Sequence, residues 1–259
     1  MALIDNLVSY WKLDESSGNA ADAHGSNTLT NNGTTPFVAA KINNGADLEA
    51  GSSQSFSITD GSQSGLDFST ALSFAMWFKP ESQPPAVYFP LVRKSSQPGQ
   101  EAYTFSYSVS GGANLRISVD ATGNGTSTDT LTVSQTLSNA TFYHIVVTWD
   151  GGTKTAKFYV DGSQVGGDQT GTNVASIFNS SADFVLGADG TFFTDGVMDE
   201  VGAWSRVLTS GEASSLYNGG AGLAYPFTSI KTWNGLADAS TKTYNGLARA
   251  SIKTFNGLA

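Results

Sequence analysis

The feature that most constrains this chain is a two-residue hydrophobic rhythm, broken at short intervals by turn residues. The stretches "SFAMWFKP" (73–80), "AYTFSYSVS" (102–110), "NLRISVD" (114–120) and "DTLTVS" (129–134) place apolar side chains on alternate positions, as a strand with one buried face requires. "FYHIVVTW" (142–149) is apolar enough to be central in a sheet. "KTAKFYVDGSQVG" (154–166) carries Asp161-Gly162 between two β-rich arms, which predicts a two-residue hairpin turn. "ADFVLGAD" (182–189) and "GVMDEVGAWSRVL" (196–208) complete the set. Helical signal is confined to "TSGEASSLYNGG" (209–220), where Thr209 or Ser210 caps one or two turns ending at Gly219. Many short strands with one late helical turn predict an all-β, two-sheet antiparallel sandwich.

The surface such a fold presents follows from composition. Charged residues are only 14 %, so Ser, Thr, Asn, Gln and Gly must cover the exterior. A net charge of -9 repels phosphate backbones and argues against nucleic-acid binding. No apolar run is long enough to span a bilayer as a helix. The absence of cysteine excludes disulfides and thiolate metal sites. The opening "MALIDNLVSYWKLDE" lacks the basic and apolar regions of a secretory signal. An exterior-type surface without an export signal suits a phage structural protein released by lysis, so a virion location is expected; a cell-surface or extracellular location is the alternative.

Three segments carry a family resemblance. "LVSYWKLDESSGNAADAHGSNTLTNNGT" (7–34) resembles the opening of laminin-G-like jelly-roll domains of the concanavalin A-like superfamily. "FYHIVVTWDGGTKTAKFYVDGSQVG" (142–166) resembles their central hairpin, and "DGVMDEVGAWSRVLTSGEASSLYNGG" (195–220) their closing strand and helical turn. The resemblance implies a jelly roll of two antiparallel sheets packed face to face over residues 1–225. It does not imply one function, because that fold hosts lectins, carbohydrate-binding modules, glycosidases and adhesion domains.

Catalysis is not expected. Glycoside hydrolysis needs two carboxylates flanking one bond. Glycosidases of this superfamily carry theirs as Glu-x-Asp-x-x-Glu or Glu-x-Asp-x-Glu, which none of the six Glu residues matches. Asp199 and Glu200 of "MDEV" are adjacent, and on a regular strand they face opposite ways. No Gly-x-Ser-x-Gly elbow is present, and His24 and His144 read as structural.

"ADAHGSN" (21–27) gathers Asp22, Asn27 and several carbonyls in one tight loop, the hard-oxygen chemistry calcium prefers. The resemblance implies one structural Ca2+ held between such a loop and an aspartate near the closing strand, which places Asp22 and Asn27 at the first position and Asp199 at the second. His24 and Ser26 depart from the usual Ser/Gly/Asn loop. The competing reading is an Asx turn at Asp22 and backbone-amide bonding at Asp199. For a glycan surface the expected residues are aromatics in loops. Tyr88, Phe89 and Tyr103 lie beside prolines, and Phe192 and Phe193 lie in "DGTFFTDG". The alternative is that these rings plug the ends of the sandwich. Trp11, Trp77, Trp149 and Trp204 fall in strand patterns and belong to the interior.

Residues 226–259 are different in kind. One eleven-residue phrase is written three times, with Trp233, Tyr244 and Phe255 each followed by Asn-Gly: Asn234-Gly235, Asn245-Gly246 and Asn256-Gly257. Asn-Gly favours a tight turn, so each copy reads as a short hairpin. Arms this short need stacking, docking or assembly, for example as a homotrimer closing into a β prism. Repeats similar to this IKTxNGLA phrase occur in predicted phage virion proteins and in surface proteins of uncultured bacteria. The expectation is a non-enzymatic virion decoration or fibre-type protein whose partners are other virion proteins or copies of itself. Its jelly roll would bind host-surface glycans, with no nucleic-acid or membrane partner. A bacterial cell-surface carbohydrate-binding or adhesion module is the alternative.

Overall fold

The computed structural model describes residues 1–84, 88–96, 98–109 and 112–227, with the backbone of four two-residue strands between 232 and 248. Two compact units divide the chain, Met1–Tyr225 and Pro226–Ala259. The first unit is a sandwich of two antiparallel sheets.

One sheet has eight strands: β1 (Leu7–Trp11), β3 (Phe37–Ala39), β4 (Asn44–Leu48), β6 (Ala71–Pro80), β11 (Tyr143–Asp150), β12 (Thr155–Val160), β13 (Ser163–Thr170) and β15 (Gly196–Trp204). Their order is β13-β12-β11-β6-β15-β4-β3, with β1 also on β15. The other holds β2 (Thr30–Asn32), β5 (Ser55–Ile58), β7 (Tyr88–Ser96), β8 (Gln100–Ser108), β9 (Asn114–Asp120), β10 (Thr128–Ser134) and β14 (Phe184–Leu186). These are ordered β10-β9-β8-β7-β14-β5-β2. Strands distant in sequence thus lie side by side within each sheet, as in a jelly roll.

The predicted rhythm is what builds the interior. On β9 Leu115, Ile117 and Val119 are buried, while Arg116 and Ser118 between them stay half-exposed. Register then stacks like on like, pairing Phe105 with Ile117 and Thr104 with Ser118. Burial of large rings, including Trp11, Trp149, Phe74 and Tyr107, supplies the main driving force. The β12–β13 hairpin turns at Asp161 (φ 50°) and Gly162 (φ 77°), the left-handed pair a two-residue turn needs.

The one α-helix among the described residues, α1 (Ser210–Tyr217), starts where the cap was expected. Thr209 accepts a bond from the Glu212 amide and Glu212 bonds back to the Thr209 amide, closing a capping box. It ends two residues before Gly219, because Asn218 adopts the left-handed cap (φ 49°).

In the second unit, described by itself, Thr232 pairs with Ala237 and Trp233 with Leu236 across β16 (Thr232–Trp233) and β17 (Leu236–Ala237). Tyr244 pairs with Leu247 in the same way across β18 (Thr243–Tyr244) and β19 (Leu247–Ala248). Asn234, Gly235, Asn245, Gly246, Phe255, Asn256 and Gly257 lie outside the described residues.

Candidate functional site

Strand alternation sends one set of side chains from the seven-stranded sheet into the core and the other outward. Arg93 and Lys94 show the two fates. Lys94 points inward, has no exposed surface, and donates to the Ser180 and Ala182 carbonyls at 2.7 and 2.8 Å and to Asp60 and Asp67. Arg93 points outward, onto a face that continues through Thr104 on β8 and Ser118 on β9. Two residues along the ladder, Arg116 joins it from β9.

On this face lies a groove of about 270 Å³. Its floor carries Arg93, Arg116, Thr104, Ser118 and Thr128, and Tyr88 and Glu101 bound it. The Arg116 guanidinium sits over the Tyr88 ring, 4.6 Å from its centre, while its Nε donates to Ser106 Oγ at 3.3 Å. The Tyr88 hydroxyl donates to the Asp189 carboxylate, and Arg93 Nη1 donates to the Asp189 carbonyl. Phe192 packs on Tyr88 with ring centres 5.3 Å apart. Burial, the Asp189 hydrogen bond and the Asp189 charge push the Tyr88 hydroxyl up to about 12, so it stays a neutral donor.

One wall is the 121–127 loop, held by Asp120. Its carboxylate accepts from the Thr122 and Gly123 amides and from the Thr122 and Thr128 hydroxyls. Burial alone would raise this carboxyl, yet those bonds hold it below the usual aspartate value.

Of the aromatics expected at a ligand surface, Tyr88 and Phe192 flank this groove and Phe193 is half-buried beside it in sequence. Phe89 and Tyr103 correct the expectation. Both belong to strands rather than loops and are 0 % and 2 % exposed, so neither can stack on a sugar. The proline argument misled because Pro90 is accommodated inside β7, at a register shift before Val92. Arg93, Arg116, Glu101 and Asp189 were not singled out from the sequence. The signal was present, since each arginine interrupts an apolar run at an outward position.

Asp22, Asn27 and Asp199, the residues expected to hold calcium, are each engaged within the fold. Asp22 Oδ1 accepts from the amides of Tyr10, His24 and Gly25, and Oδ2 from that of Asn27, all within 3.0 Å. Its oxygens are spent on an Asx-type nest. Asn27 is buried, donating to Ser9 Oγ and the Ser64 carbonyl and accepting from the Ser64 amide. Asp199 is fully buried on β15, with Oδ2 accepting from the Ile42 amide at 2.8 Å and Oδ1 lacking a well-formed bond.

Its neighbour Glu200 is also buried, and a left-handed φ of 52° at a register shift breaks the strand alternation expected there. Burial, then the Glu200 and Asp14 charges, push the Asp199 carboxyl up to about 8; burial, then Asp14, push Glu200 up to about 7. Asp199 and Glu200 thus carry buried carboxylate oxygens with unmet bonding capacity, chemistry that a hard cation would satisfy, whereas Asp14 accepts from Asn43 and the Asn44 amide.

His24 bonds Tyr225 (Nδ1 to hydroxyl, 3.1 Å), and His144 is buried against Trp77, its imidazole pushed down to about 3 by burial. Both are thus engaged with aromatic neighbours inside the fold.

Comparison with known proteins matches the fold of the sandwich. The chain is 19 % identical to domain 4 of the extracellular arabinanase AbnA of Geobacillus stearothermophilus, solved in complex with arabinotriose, at TM-score 0.60. That match covers 81 % of this chain and 97 % of the other. The binding domain of Paraclostridial Mosquitocidal Protein 1 superposes at TM-score 0.64 and 18 % identity, over 84 % of this chain and 53 % of that one. Trypanosoma rangeli sialidase superposes at TM-score 0.57 and 16 % identity, over 82 % of this chain and 32 % of the enzyme. At these identities the likeness is one of fold. No curated protein matches the sequence. The Laminin_G_3 profile covers residues 50–214, well over half of the chain, and the protein belongs to the concanavalin A-like lectin/glucanases superfamily.

Proposed function

We propose that this protein is a non-catalytic glycan-binding jelly roll displayed as a virion decoration or fibre-type component. The observation that carries the binding reading is the groove on the seven-stranded sheet, where Tyr88 and Phe192 offer ring surface beside unspent guanidinium donors and a floor of hydroxyls. Proteins of similar fold, AbnA domain 4 in complex with arabinotriose and botulinum neurotoxin type C, whose cell entry depends on interaction with two ganglioside molecules, support a sugar as the ligand class. The non-catalytic reading is supported by Asp199 and Glu200, at 0 % and 4 % exposure, which no polysaccharide can reach. In the groove, Asp120 is saturated by loop donors, so Glu101 has no free carboxylate partner there.

A glycan array probed with the full chain tests this reading. Specific retention that Arg116→Ala or Tyr88→Ala removes supports it, and a blank array or retention indifferent to both substitutions sinks it. The displayed role rests on the closely similar repeats, whose short paired strands need something to pack against. Light scattering compares the full chain with one stopped at Phe227. A trimer or larger that becomes a monomer on truncation supports assembly through the repeats, and two monomers overturn it.

A structural Ca2+ would draw on Asp199 and on Glu200 beside it, whose buried oxygens lack well-formed hydrogen bonds. Bound there, it would neutralise the buried carboxylates of β15. Millimolar calcium against chelator should raise Tm by several degrees in the parent and in Asp22→Asn, but not in Asp199→Asn. No shift in the parent removes the ion from the account.

A further inference from the structure

We infer that the ligand of the groove is an acidic sugar, whose carboxylate is received between Arg93 and Arg116; this rests on the glycan-binding reading above. The chain has four arginines, and their fates differ. Arg206 is consumed by Glu212 and by the Ala2 and Asp5 carbonyls, and Arg249 lies outside the described residues. The remaining two stand on one face of one sheet.

Neither forms an ion pair with any carboxylate among the described residues, where Arg206 and three lysines do. A guanidinium has five N–H donors. Arg93 spends one on the Asp189 carbonyl and Arg116 one on Ser106 Oγ. The rest face the groove or water.

Both are held in place before any ligand arrives. Arg116 is fixed by the Tyr88 ring, and Tyr88 is fixed by the same Asp189 whose carbonyl holds Arg93. Half-burial of both guanidinium groups raises the strength of a charged hydrogen bond relative to one in open water. None of the nearby carboxylates pairs with them, and Glu101, at the groove's edge, accepts from the Gly99 amide. Asp189 is taken by the Thr191 and Phe192 amides and Tyr88, and Asp120 by its loop. A neutral sugar would use the hydroxyl floor but leave both cations without counter-charge. The planar forks match a carboxylate's two oxygens instead. A net charge of -9 repels polyanions at long range, so retention of an acidic glycan needs directed pairs such as these.

The test is an array of neutral glycans beside uronate- and sialate-containing ones, each acidic glycan matched to its carboxyl-reduced form, probed with the full chain. The expected result is binding to acidic glycans that falls by about tenfold or more on carboxyl reduction, and by a similar factor in Arg93→Met and in Arg116→Met. Binding should also weaken as salt rises. Thermal denaturation confirms that both variants fold, and Thr132→Ala, outside the groove, controls for surface change. Binding of neutral and carboxyl-reduced glycans that both arginine variants retain overturns the acidic-sugar inference and leaves the glycan-binding reading standing. A blank array with folded protein overturns both.

Discussion

The outer faces of the two sheets are built from the same strand chemistry and have opposite fates. On the eight-stranded sheet, Trp77 and His144 pair across strands and point outward, yet are only 2 % and 3 % exposed. Helix α1 covers them, with Tyr217 5.8 Å from Trp77 and 6.3 Å from His144, ring to ring, and Lys41 lies over the indole. On the seven-stranded sheet the corresponding positions are Arg93, Thr104, Arg116 and Ser118, and none is buried. One face is closed by the chain's own helix, and among the described residues the other is left open. An outward aromatic therefore has different meanings on the two sheets, as a support for a helix on one and as a side wall for a ligand on the other.

The largest effect that tests this contrast is on the closed face. Trp77→Ala removes a buried indole from under α1 and should cost about 4 kcal/mol, lowering Tm by about 10 °C. Glycan binding by the groove at low temperature should be unchanged. An unaltered Tm would mean that α1 is not a cover at all.

Next in size is the clamp that seats α1. Arg206 grips Glu212 with two bonds of 2.9 and 2.7 Å, and the same carboxylate caps the helix at Thr209. Burial acts to raise the Glu212 carboxyl, but Arg206 and Thr209 hold it below the ordinary glutamate value of 4.5. A carboxyl depressed by folding stabilises the fold fully above that ordinary value, and the contribution disappears as pH falls through the lowered one. Glu212→Gln should cost about 3 kcal/mol at neutral pH and flatten this part of the acid limb in urea titrations from pH 7 to 3. A variant with the parent's acid dependence would show that the clamp does not link helix and pH.

How much of this was legible beforehand depends on whether the cause was local. Alternation on "NLRISVD" placed Leu115, Ile117 and Val119 inside and Arg116 outside without help from the rest of the chain. Asp161-Gly162 announced its hairpin, and Thr209 its cap, because turns and caps are decided by a few neighbouring residues. The groove was not legible, because it needs β7 beside β8 beside β9 and Asp189 arriving from a loop about a hundred residues away. Asp22 shows the limit from the other side. Its composition suggested a cation, but the same oxygens serve backbone amides, and only the folded loop decides between the two uses. At Glu200 a local rule failed outright, since a left-handed residue in a bulge brings adjacent carboxylates into one buried region.

The open face has its own hierarchy of support. Asp120→Asn weakens the bonds that hold the 121–127 wall and should cost about 1–2 kcal/mol while lowering glycan affinity several-fold. If affinity holds while stability falls, the loop is scaffold and not wall, and the groove is narrower than its outline.

The smallest change is the most discriminating for the open face. Tyr88→Phe keeps the ring beneath Arg116 and beside Phe192 and removes only the hydroxyl that donates to Asp189. Stability should fall by no more than about 1 kcal/mol. Affinity should stay within about threefold if the ring is what positions Arg116, whereas Tyr88→Ala, which leaves the guanidinium without its platform, should lose about tenfold. If Phe and Ala prove equally harmful, the hydroxyl–Asp189 bond is the element that aligns the two arginines, and the ring is packing. If both are harmless, the cations are positioned by Ser106 and the Asp189 carbonyl alone. The open face then differs from the closed one in its charges and not in its aromatic support.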